Sequence, residues 1–99
     1  MKNTVVEINK HFNIYRTKSE YYSLYLVPIK NDLFKKVFEV NHAISEEGQD
    51  VVVCKETEIK KQCFELPEYI KIKAEDINDG ALITCISGII QARSRQEIS

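Results

Sequence analysis

Apolar and polar residues alternate from Val6 to Tyr15, and that regularity limits the folds open to this chain more than any other feature. The even positions are Val6, Ile8, Lys10, Phe12 and Ile14, and between them stand Glu7, Asn9, His11, Asn13 and Tyr15. Successive side chains of a strand point to opposite faces, so the pattern makes one dry face and one wet face. A second β-rich run, Tyr21-Tyr22-Ser23-Leu24-Tyr25-Leu26-Val27, follows after Thr17-Lys18-Ser19. Together they predict a long hairpin over Glu7 to Ile29. A competing signal is present: Thr4-x-x-Glu7 has the form of a capping box, so a helical start within 4–16 stays open.

With a three-residue loop, Arg16 faces Glu20, Tyr15 faces Tyr21, Asn13 faces Ser23 and His11 faces Tyr25. On the other side Ile14 meets Tyr22 and Phe12 meets Leu24. Both strands then bring their apolar sets to one face, which fixes a register because a one-residue slip would exchange the faces. The wet face collects His11, Asn13, Tyr15, Tyr21, Ser23 and Tyr25.

Downstream, Asn31-Asp32 offers a cap, and Leu33, Phe34, Val37, Phe38, Val40 and Ile44 recur at helical spacing. The pattern predicts a helix over Asp32 to Ser45, with Gly48 available to end it. Val51 to Cys54 reads as a buried-type strand and Ile59 to Leu66 as a less regular one. Tyr69 to Lys73 alternates like an edge strand. Asn78-Asp79-Gly80 is a turn signal. The segment 81–92 is ambiguous. Its β-branched residues and the turn before it favour a strand, whereas a helix would gather Thr84, Ser87, Gly88 and Gln91 on one side. Residues 93–99 read as a flexible polar tail. The predicted architecture is therefore α+β. One helix lies on one face of a curved antiparallel sheet in the order β-β-α-β-β-β-β, all within a single domain over 1–99.

Charge weighs against one broad mode of partner binding. The 99 residues carry a formal net charge of −1. The first 49 residues hold 7 basic and 6 acidic groups, and the remaining 50 hold 7 and 9. Binding nucleic acid by bulk attraction needs a clustered basic excess, which is missing. The same neutrality argues against a membrane surface. The start, Met1 to Thr4, leads into alternation rather than an apolar run, and no apolar segment is long enough to span a bilayer. A cytoplasmic location is expected, with three cysteines (Cys54, Cys63, Cys85) as free buried thiols.

No pattern of metal ligands, nucleophile and base, or phosphate-binding glycines is present, so no enzyme activity, cofactor or metal is expected. The acidic run Glu75 to Gly80 lacks the spacing of a calcium loop. His42 is expected in solvent on the polar side of the predicted helix. What remains is the tyrosine face, because tyrosine supplies rigid contact area and a hydroxyl at small entropic cost. The expectation is a protein-binding module, of the immunity-protein, antitoxin or phage-inhibitor kind, whose partner is another protein or a second copy of itself. The alternative is a single-stranded nucleic-acid binder that uses the tyrosines as stacking platforms.

Overall fold

A computed structural model describes residues 2–19, 23–29, 36–58 and 63–98. Five antiparallel strands form one sheet: β1 (Phe12–Thr17), β2 (Leu24–Pro28), β3 (Lys36–Ile44), β4 (Asp50–Glu58) and β5 (Tyr69–Ile72). Their spatial order is β4-β3-β2-β1-β5. Helix α1 (Lys2–His11) precedes β1, and helix α2 (Gly80–Ile98) ends the described chain. The α+β class and the antiparallel sheet agree with the sequence; the element order differs, with a helix at each end instead of one in the middle.

The first five residues of the predicted hairpin, Glu7 to His11, belong to α1. Val5 and Ile8 lie on its inward side, and Ile8 is fully buried. Glu7 sits 3.8 Å from Lys10 and 3.4 Å from His11, one helical turn on. Those spacings support a helix, and basic groups in its last turn suit the dipole. The helix passes directly into β1, and the N–H of Ile29 donates to the free carbonyl of His11 at 3.0 Å.

The β1–β2 hairpin has the predicted faces but not the predicted register. Tyr15 pairs with Tyr25 rather than Tyr21, Asn13 with Val27 rather than Ser23, and Arg16 with Leu24 rather than Glu20. The slip is four residues for each pair. Being even, it leaves the described side chains of β1 and β2 on their expected faces. Thr17 and Ser23 close the hairpin: the N–H of Thr17 donates to the Ser23 carbonyl, and the Ser23 N–H to Thr17 Oγ1. Glu20, Tyr21 and Tyr22 lie outside the described residues, as do Asn31 to Phe34.

The helix expected over Asp32 to Ser45 is replaced, from Lys36 onward, by strand β3. Its apolar residues fit a period of two as well as 3.6, since Phe38, Val40 and Ile44 share one face. Val37, Val40, Asn41 and His42 are also poor helix formers. Pairing with β2 (Leu24 with Val40, Leu26 with Phe38) and with β4 decides the matter. Gly48 then serves a different purpose. Ser45-Glu46-Glu47-Gly48 is a turn in which Gly48 N–H donates to the Ser45 carbonyl at 2.9 Å. Gly48 has φ 81°, the left-handed position that a three-residue hairpin loop requires.

The segment 81–92 is helical, not a strand. Asp79 caps it: Oδ1 accepts from the N–H groups of Ala81 (2.9 Å) and Leu82 (3.4 Å). Leu82 and Ile86, one turn apart, are buried, while Thr84, Gly88 and Gln91 are exposed. Core burial of that isoleucine-rich stripe outweighs the modest helix penalty of β-branched side chains. The helix continues through 93–98, most of the segment expected to be a tail.

Both helices pack on the same side. Ile8, Leu82 and Ile86 join Phe12, Ile14, Leu24, Leu26 and Val40 in one buried cluster, with Phe38, Val52 and Ile72 at its margin. Asn9 ties α1 to the 3-10 turn Ala74–Asp76, accepting from the Ala74 N–H at 3.1 Å and donating to Glu75 Oε1. The cysteines are free thiols, but none is buried as expected: Cys54 is exposed, and Cys63 and Cys85 are half-buried.

Candidate functional site

The face opposite the helices is built from the alternate residues of every strand. It carries Asn13, Tyr15 and Thr17 of β1, Tyr25 and Val27 of β2, Val37, Glu39, Asn41 and Ala43 of β3, and Val51, Val53, Lys55 and Thr57 of β4. Tyr69 and Lys71 come from β5. No described helix of the α type covers this face.

Three tyrosines converge there from three strands. Tyr15 lies directly across from Tyr25, and the β5 pairing brings Tyr69 opposite Thr17. A short 3-10 turn, Cys63–Glu65, sets the Phe64 ring among them. Phe64 stacks on Tyr15 with centroids 5.0 Å apart and planes 15° from parallel. It meets Tyr25 at 5.3 Å and Tyr69 edge-on at 5.2 Å. Tyr25 and Tyr69 also meet edge-on at 5.7 Å. Offset-stacked and edge-on pairs are the arrangements that ring quadrupoles favour. Leu66, just past the turn, is 51% exposed and extends the apolar surface.

A polar band borders the rings. Asn41 Nδ2 is within 3.3 Å of both Ser23 Oγ and Glu39 Oε1. Burial raises the Tyr25 phenol above its ordinary value, with Glu39 and then Cys63 adding to the effect. Tyr69 is raised by burial first and then by Cys63. Both phenols therefore stay protonated at neutral pH and can donate as well as accept hydrogen bonds. Among the described residues, no three His, Cys, Asp or Glu side chains converge as a metal site requires.

Four of the six residues singled out in the sequence, Asn13, Tyr15, Ser23 and Tyr25, belong to the β1–β2 hairpin on this side. Tyr21 lies outside the described residues. His11 does not face Tyr25: it ends α1 and turns to Glu7. Phe64 and Tyr69 escaped the sequence reading. Tyr69 was within reach, because the alternation of Tyr69 to Lys73 puts Tyr69 and Lys71 together, and only the position of β5 beside β1 was missing. Phe64 carried no signal, since its place depends on a turn that the pattern of Ile59 to Leu66 conceals.

Comparison of the chain with protein-family models, curated proteins and solved structures yields no significant match. Among the described residues, no helix is long and apolar enough to cross a membrane.

Proposed function

We propose that this chain is a small protein-binding module that acts through the outer face of its sheet, in the manner of an immunity protein, an antitoxin or a phage inhibitor. The observation that carries the reading is Phe64 locked among Tyr15, Tyr25 and Tyr69 on the face that neither α1 nor α2 covers. Rings already held in place lose little conformational freedom on binding, which leaves more of their contact energy for affinity. The border of Ser23, Asn41 and Glu39, with Lys71 nearby, is the kind of polar rim that surrounds such an apolar centre.

The test is retention of a native-host partner by the full chain and by two variants. Phe64→Ala should lose the partner, while Val6→Ala, on the far side of α1, should keep it. Equal retention by both variants removes the outer face from the account. A labelled oligothymidine that binds the wild type, fails with Phe64→Ala and dissociates steeply with added salt would replace the reading with single-strand binding.

A further inference from the structure

The imidazole of His42 stands between two carboxylates that come from different parts of the chain. Its Nδ1 is 2.9 Å from Asp50 Oδ1, and its Nε2 is 2.5 Å from Asp79 Oδ2. Asp50 opens β4, and Asp79 is the residue that caps α2. The ring therefore joins β3, β4 and the first turn of α2. Val52, the cross-strand neighbour of His42, is apolar. Among the described residues the charged groups facing the ring are Asp50 and Asp79.

The hydrogen-bond inventory decides the protonation state. A neutral imidazole has one N–H, and its other nitrogen can only accept. A carboxylate can only accept as well. With a carboxylate at each nitrogen, both bonds exist together only when the ring is imidazolium. Two backbone N–H bonds to Asp79 Oδ1 at the positive end of α2 favour the ionised carboxylate, which leaves the shared proton on the ring.

We propose that His42 is a proton-operated clamp, fastening the first turn of α2 to the β3–β4 hairpin when its ring is doubly protonated and releasing one carboxylate when it is not. The directions of titration agree with the geometry. The bond to Asp79, then that to Asp50, raises His42 above its ordinary 6.5. The bond to His42 lowers Asp79 below its ordinary 3.8, and the Ala81 and Leu82 N–H groups add to this against the opposing effect of burial. A raised histidine gives stability that is full below 6.5 and lost as pH rises through the folded value. A lowered aspartate gives stability that is present above 3.8 and lost as pH falls through its folded value. The clamp is closed between those limits and opens as pH rises through the folded His42 value. The His42 side chain is 40% exposed, so salt weakens the device. None of its three residues belongs to the aromatic cluster, so it stands or falls apart from the binding function.

The experiment is a pH titration of the His42 ring by NMR, paired with amide exchange at Ala81 and Leu82 corrected for the intrinsic pH dependence. His42 should titrate above 6.5. Asp50→Asn and Asp79→Asn should each lower that midpoint, the second while still accepting the capping N–H bonds. The corrected opening of the two amides should rise several-fold between mildly acidic and alkaline pH, and should be flat in His42→Gln. A midpoint at or below 6.5, a midpoint unmoved by Asp50→Asn, or the same rise in His42→Gln would overturn the clamp.

Discussion

Leu26 and Tyr25 are neighbours in the chain and sit in opposite worlds. Leu26 is fully buried in a cluster fed by both helices and three strands. Tyr25, turned the other way, rests on Phe64 and Tyr69 and keeps part of its surface in solvent. The inner face is covered by α1 and α2, helices of ten and nineteen residues. The described cover over the tyrosines is a turn of three residues. One face is thus committed to holding the fold, while the other, among the described residues, is ordered largely by ring contacts around Phe64.

The largest expected effect sets the scale of that difference. Leu26→Ala removes a buried side chain from between the helices and the sheet and should cost about 2–5 kcal/mol in urea unfolding. That is a large part of what a domain of this size has. Tyr25→Ala, one residue earlier, should cost distinctly less. A Tyr25→Ala loss equal to that of Leu26→Ala would mean that the outer face is a second core and not a surface.

The same pair of residues shows what could be learned from the sequence. Alternation assigned Phe12, Ile14, Leu24 and Leu26 to one face and Tyr15 and Tyr25 to the other, and the structure keeps that division. The register depends on where the hairpin closes. Thr17-Lys18-Ser19 lacks the glycine or asparagine that would have marked a tight loop. An even slip preserves faces, so Asn13, Tyr15, Ser23 and Tyr25 stay on one side despite the wrong pairing. His11 did not, because Glu7, Lys10 and His11 satisfy helical spacing as well as they do alternation. The swapped assignments of β3 and α2 have a common cause. Both segments are rich in β-branched residues, and their apolar positions fit either period. Their local markers were ambiguous too: Gly48 serves a hairpin as readily as a helix end, and Asp79-Gly80 serves a helix cap as readily as a turn. Pairing partners and the core settle what local pattern leaves open.

Phe64→Ala sharpens the comparison at the second level. Three ring contacts vanish, each worth about 0.5–1.5 kcal/mol when fully formed. Because Phe64 is partly exposed, the loss of stability should be only about 1–2 kcal/mol, below that of Leu26→Ala. Its binding effect should be of similar or greater size, since central aromatic residues dominate interfaces. Chemical unfolding and partner affinity, measured on the same variant, give the ratio. An Phe64→Ala chain that binds at full strength would make the cluster merely a lid for the sheet.

The smallest effect lies at the far end of α2, where the inner face is finished by a cation. Arg93 holds its guanidinium carbon 5.7 Å from the Phe12 centroid and 6.0 Å from that of Phe38. Those two rings meet edge-on, 6.0 Å apart with planes at 87°. A guanidinium near ring faces is attracted by their quadrupoles, and its aliphatic stem covers apolar surface as well. Methionine keeps much of the stem and discards the charge. If the cation matters, Arg93→Met should cost about 0.5–1 kcal/mol, and Arg93→Lys should cost less because it keeps a charge. If only the stem matters, Arg93→Met should be neutral. A neutral result would place the effective end of inner-face packing nearer Ile90, and the two faces would then differ less at this end of the molecule than Leu26 and Tyr25 suggest.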